Sequence, residues 1–110
     1  MYKIFIFSPD DERVIEKIIQ AASQAGAGKI SNYSECAFIT RGSGHWKSEE
    51  GSSPTDGIVG KVTAKPQVKI EMVCPKEKAK DIQNAVRKVH PYEEPEINLV
   101  ILHNLDDSRL

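Results

Sequence analysis

Apolar residues follow two different periods along this chain, and the switches between them mark the elements. Tyr2 to Phe7 (Tyr-Lys-Ile-Phe-Ile-Phe) is short, aromatic and β-branched, which predicts a strand buried on both faces. Ser8-Pro9-Asp10-Asp11-Glu12 then reads as a helix start. Ser8 would cap, Pro9 would take the first helical position, and the acids would sit at the positive end of the helix dipole. Val14, Ile15, Ile18, Ile19 and Ala22 recur at helical spacing and make one apolar stripe. Gly26-Ala27-Gly28 stops that helix.

From Asn32 to Thr40 the pattern predicts a second strand, with Cys36 and Phe38 on one face and Tyr33, Glu35, Ala37 and Ile39 on the other. Gly42-Ser43-Gly44 reads as a turn, after which His45-Trp46-Lys47 returns as a short antiparallel arm. Ser48 to Gly57 is the most polar stretch, rich in glycine and serine, and predicts an exposed loop. A loop that long in a small domain is either mobile or functional. Val68 to Val73 alternates apolar and charged residues, the mark of a strand with one solvated face. Pro75 opens a second helix with Ala79, Ile82, Ala85 or Val86, and Val89 on its apolar side. Lys76, Lys78, Lys80, Arg87 and Lys88 lie on its other side and read as a solvated face. His90-Pro91 ends this helix, and Ile97 to Leu102 closes the fold as a last strand.

The order strand, helix, strand, strand, helix, strand predicts an α+β, ferredoxin-like (βαββαβ) sandwich. Two helices would cover one face of a four-stranded antiparallel sheet, with the hairpin arm as an addition. Residues 1–104 would form this single domain, and 105–110 a polar tail that frays. The other sheet face would expose Tyr33, Ile39, Ile97 and Leu99, so a homo-oligomer burying them is expected.

Composition narrows the function only by exclusion. The chain has 110 residues, 39% of them hydrophobic and 28% charged, which fits one globular domain and not a disordered or fibrous chain. Its net charge of −1 argues against a general nucleic-acid or anionic-membrane partner. The longest apolar runs are far too short to span a bilayer, and no secretory leader is visible. Two cysteines, Cys36 and Cys74, are too few for a disulfide framework and point to a reduced, cytoplasmic protein.

Candidate chemistry concentrates in His90-Pro91-Tyr92-Glu93-Glu94-Pro95. His90 and Glu93 could share a divalent metal, or His90 could act as a general base oriented by a carboxylate. One His-x-x-Glu pair supplies at most two of the three or four ligands a metal needs. The alternative is a rigid connector in which His90 caps the helix and Tyr92 packs at an interface. Gly26-Ala27-Gly28-Lys29 has the composition of an anion cradle, but it follows a helix instead of leading into one. Cys74, at the mouth of the second helix, is either an activated thiolate or a buried thiol. His45 and Trp46 could form the lid of a small-molecule site or pack on a neighbouring subunit. No serine lies in a Gly-x-Ser-x-Gly context, so hydrolase chemistry of that kind has no support.

Two segments, residues 26–38 (Gly-Ala-Gly-Lys-Ile-Ser-Asn-Tyr-Ser-Glu-Cys-Ala-Phe) and residues 90–95 (His-Pro-Tyr-Glu-Glu-Pro), together resemble one module. It is the PII-like or CutA-like domain inserted in many bacterial members of the Nif-three (NGG-interacting factor three) family, which also occurs as free-standing proteins of about this length. Gly42, Ser43, Gly44, Trp46, Pro54, Gly57 and Gly60 fall where that module has its glycine-rich loop, and Ser31 stands where a glycine is usual. The resemblance runs from Tyr2 to about His103. It implies a ferredoxin-like fold assembled as a trimer with clefts between subunits. It also implies that a two-metal centre, carried by the flanking domains in full-length relatives, is not to be transferred here. A small ligand would then be held by Gly28, Asn32, Tyr33, Ser34, Cys36, Tyr92 and Glu94, with His90 and Glu93 as candidate metal ligands. The expectation is a non-catalytic binding or regulatory module. The alternatives are a metal-assisted enzyme using His90 and Glu93, and divalent-metal tolerance of the CutA type.

Overall fold

A computed structural model describes residues 1–103, so the expected fraying tail at 105–110 lies outside the described residues. Four strands and two helices follow one another as β1 (Tyr2–Pro9), α1 (Glu12–Gln24), β2 (Phe38–Lys47), β3 (Val62–Cys74), α2 (Ala79–Val89) and β4 (Ile97–Ile101). A 3-10 turn, Lys76–Lys78, leads into α2. The strands lie in the order β2-β3-β1-β4, every neighbour antiparallel. Because β3 sits between β1 and β2, the β1-α1-β2 unit is split, as the ferredoxin-like arrangement requires.

One side of the sheet is dry. Ile4 and Ile6 of β1 pair with Met72 and Ile70 of β3, and their side chains meet Ile15, Ile18 and Ala22 of α1 and Ile82 and Val86 of α2 in a single buried cluster. Each buried isoleucine contributes roughly 1.5–3 kcal/mol, which is why the helix stripes face this way.

The ladder corrects several expectations. Asp11, not Ser8, caps α1, its carboxylate accepting from the backbone N–H groups of Arg13 and Val14 at 2.9 and 3.2 Å. Ser8 and Pro9 remain in β1, where Ser8 is buried and Pro9 lies beyond the last β1–β4 pair. Residues 42–44 do not turn. They run straight through β2, opposite Gln67, Pro66 and Lys65, so the arm is a long β2–β3 hairpin closed by the loop 48–61. β3 therefore begins at Val62. β1 ends opposite Gln67, so Pro66 sits where β3 has only β2 beside it, an edge-like stretch that tolerates proline.

The uncovered sheet face also has different residues from those expected. Ile39 pairs with Ile70, and Ile97 with Ile6, which puts both on the helix side, packed against the core. Leu99 pairs with Ile4 and so shares that side, at an exposed edge, while Tyr33 belongs to no strand. The open face carries Phe5, flanked by Glu71 and Asn98, with Phe38 across from Glu71. Phe38 is 68% exposed, and the Lys69 ammonium lies 4.8 Å from the centre of the Phe5 ring. No helix among the described residues is long and apolar enough to cross a membrane.

Candidate functional site

The two motif segments lie at opposite ends of the sheet. Residues 26–37 are fastened near the end of β3, where the Gly28 N–H donates to the Val73 carbonyl (2.8 Å) and the Gly28 carbonyl accepts from the Cys36 N–H (2.8 Å). Gly28 has φ +75, and a Cβ there would lie 2.7 Å from Met72 Cε and 2.9 Å from the Cys36 oxygen. Only glycine fits, so Gly28 is a structural staple. Asn32 to Thr40 is not one strand: Ile30 and Tyr33 close a tight turn through reciprocal backbone bonds of 2.9 Å, and β2 starts only at Phe38. Ser31 and Glu35 both adopt left-handed φ, 53 and 56, which no strand can contain. Asn32, Tyr33 and Ser34 are exposed, Cys36 is half-buried, and none of them lines a cavity.

His90, Tyr92, Glu93 and Glu94 gather at the other end, next to Phe7 and Gln67. Along β3, Val73 and Gln67 are roughly 20 Å apart at strand rise, so within one chain the two segments do not share a pocket.

His90 is fully engaged. Its Nδ1 accepts from the Tyr92 N–H at 3.1 Å, and its Nε2 lies 2.7 Å from the Phe7 carbonyl. A carbonyl only accepts, so Nε2 carries the hydrogen and the ring is neutral. Burial pushes the His90 pKa down, against the opposing pull of the Phe7 carbonyl. Neither nitrogen is left for a metal or a substrate in this arrangement. Glu93 is likewise occupied, taking the Ser53 N–H on its two carboxylate oxygens at 3.3 and 3.2 Å. Thr55 donates its hydroxyl to the Pro91 carbonyl at 2.6 Å, so two bonds hold the loop 48–61 against the 90–95 connector. Among the described residues, no three His, Cys, Asp or Glu side chains converge as a metal set.

Between arm, loop and connector lies a cleft of about 360 Å³. Its aromatic wall is Trp46 and Tyr92, with ring centres 5.8 Å apart and planes at 54°. Gln67 reaches across β2 and donates to the Tyr92 hydroxyl at 3.0 Å. That crossing is why Gly44 is a glycine: a Cβ there would lie 2.0 Å from Gln67 Oε1. Gly44, expected in a turn, instead makes room for Gln67, whose only local signal is a polar residue entering an alternating strand. Burial raises the Tyr92 pKa, partly offset by the Gln67 bond. Glu94 faces the same cleft and lies 3.7 Å from Arg87, and Asp56 is paired with Lys65 at 3.1 Å. His45 and Trp46 do line a cavity, as one of the two readings of that pair supposed. Ser48 and Glu96, which also line it, carried no signal in the sequence.

Cys74 resolves as the buried thiol. It is fully buried, donates to the Pro75 carbonyl at 3.3 Å, and burial together with Glu77 pushes its pKa up, away from an activated thiolate. The dipole expected to activate it belongs to α2, which starts only at Ala79, beyond the 3-10 turn.

No family model matches the chain. It is 36% identical over 104 residues to a GTP cyclohydrolase 1 type 2 homolog of Halalkalibacterium halodurans, a match covering 94% of this chain and 27% of that protein. A homolog of the same name from Listeria innocua is 40% identical over 101 residues, covering 91% and 26%. Among solved structures, a Bacillus cereus protein related to NIF3 superposes with a TM-score of 0.78 at 31% identity, over 94% of this chain and 26% of that one. The periplasmic divalent cation tolerance protein CutA from Archaeoglobus fulgidus superposes with a TM-score of 0.70 over 96% and 89% of the two chains. At 19% identity, that second likeness is one of fold. The chain spans about a quarter of the length of the curated relatives it matches. The chain is therefore similar to about one quarter of these NIF3-related proteins, with a CutA-like fold of the ferredoxin-like type.

Proposed function

We propose that this chain is a non-catalytic binding module that works as a homo-oligomer, a trimer in the form we favour, with a small ligand held in clefts that neighbouring subunits complete. The observation that carries the reading is the cleft walled by Trp46, Tyr92 and the 90–95 connector. Its best candidate for acid–base work, His90, is committed to Phe7 and Tyr92 and held neutral, which supports binding over catalysis. Self-association is supported by the open sheet face, where Phe38 stands exposed with Glu71 between it and Phe5. The free thiols Cys36 and Cys74 fit a cytoplasmic setting.

A divalent metal at His90 and Glu93, in line with the cation tolerance named for the CutA structures, would have to displace either Phe7 or Tyr92 from one imidazole nitrogen and compete with the Ser53 N–H for the carboxylate. The small-ligand reading needs no such rearrangement.

Light scattering on the purified chain at micromolar concentration tests the assembly. Three chain masses are expected, falling to one in Phe38→Asp. A monomeric wild-type protein would end the shared-cleft reading.

A further inference from the structure

The chemistry of the cleft specifies its ligand further, on the footing that the chain is a binding module. Five carboxylates line the cleft, from Glu49, Asp56, Glu93, Glu94 and Glu96, against the single cation of Lys47. Asp56 and Glu94 are paired to Lys65 and Arg87, but Glu49, Glu93 and Glu96 have no cationic partner among the described residues. A phosphate or nucleotide entering here would meet uncompensated negative charge. Trp46 and Tyr92 supply the flat, electron-rich surfaces on which a cation is attracted.

A separate observation points the same way. Ser48 is only 6% exposed, lines the cleft, and its hydroxyl has no hydrogen-bond partner among the described residues. Its oxygen keeps some access to solvent. A buried hydroxyl with no protein partner can donate to or accept from a ligand, an N–H donor included.

We propose that this cleft takes a small organic cation bearing N–H donors, a primary ammonium or a guanidinium, seated against Trp46 and Tyr92. Ser48, Glu49 and Glu96 accept its hydrogens. A volume of about 360 Å³ suits a molecule with a short aliphatic body and not a macromolecular side.

Trp46 is the only tryptophan in the chain, so its fluorescence reports on the site directly. Agmatine, which carries both head groups, should change that fluorescence saturably, and the affinity should fall with added sodium chloride. Calorimetry should show agmatine weakened about three- to thirty-fold in Trp46→Leu. Ser48→Ala and the exposed-rim variant Glu96→Gln, which leave the aromatic wall intact, should each weaken it by a smaller factor. Saturation by ATP or zinc but not by agmatine would overturn the cation assignment while leaving a binding module. So would agmatine affinity unchanged in Trp46→Leu and Glu96→Gln alike, or no saturation up to about 10 mM agmatine. The oligomeric state, measured on the same samples, reports separately on the assembly.

Discussion

The two ends of the sheet are held by different kinds of bond. At the end of β3 where residues 26–37 attach, the ties are backbone to backbone: Gly28 to Val73, Cys36 to Gly28, and Ile30 to Tyr33. The side chains of Asn32, Tyr33 and Ser34 point into solvent and hold nothing there. At the other end the ties are made by side chains: His90 to Phe7 and Tyr92, Gln67 to Tyr92, Glu93 to Ser53, and Thr55 to Pro91. A segment held by its backbone depends on φ and on room for Cα, and is indifferent to most side chains. A segment held by side chains depends on their identity and protonation. The second kind of construction makes a cavity and the first does not.

The sharpest test of this contrast is Gly28→Ala. The new methyl group meets Met72 Cε and the Cys36 backbone oxygen in a left-handed backbone conformation, so the Gly28–Cys36 backbone contact must shift. A loss of about 2–4 kcal/mol is expected in urea unfolding, from strain and overpacking together. Tyr33→Ala, a far larger deletion on the same segment at a residue 74% exposed, should change stability by less than about 0.5 kcal/mol. Equal losses in the two variants would show that side chains hold this end too.

At the opposite end, His90→Ala removes two hydrogen bonds at once, leaving the Phe7 carbonyl and the Tyr92 N–H without partners, and should cost about 2–3 kcal/mol. Protonation attacks the same place. An imidazolium would set a hydrogen on Nδ1 against the Tyr92 N–H. The folded pKa lies below the ordinary value of 6.5. Between the two values the unfolded chain binds more protons than the folded one, so stability rises with pH. The His90 contribution is complete above pH 6.5 and is lost as pH falls toward the folded pKa. Unfolding free energy measured from pH 7 downward should therefore decline in the wild type and lose that part of its slope in His90→Ala. Parallel slopes would mean that His90 is not the group titrating.

How much of this could be read in advance follows from the same contrast. The helix stripes, the alternation of β3 and the order of elements were legible, because burial imposes a period on each. The ends of elements were not. Asp11 and Ser8 are both good caps, and only the pairing of Pro9 with Gln67 decides between them. Gly42 and Gly44 look like a turn, yet both lie inside β2, and the side chain that Gly44 makes room for, Gln67, arrives from a strand more than twenty residues later. Ile39 and Ile97 were placed on the wrong face because a face is fixed by register with β3 and β1, which no local pattern contains. The 90–95 segment stands out in the sequence for its density of polar groups. What those groups bind, Ser53 and Phe7, lies far off in the chain.

The mildest change tests the backbone-held end from the favourable side. Ser31 keeps φ at 53 in the Ile30–Tyr33 turn, a conformation that costs a residue with a Cβ about 1 kcal/mol or more. Glycine adopts it without strain but loses more chain entropy on folding, so the two effects partly cancel. Ser31→Gly should leave a net gain of about 0.5 kcal/mol, a rise of a few degrees in Tm. The Ser31 hydroxyl makes no hydrogen bond among the described residues, so nothing is lost with it. A lower Tm in Ser31→Gly would mean that the serine side chain braces the turn, and that the two ends of the sheet are less different in kind than their hydrogen bonds indicate.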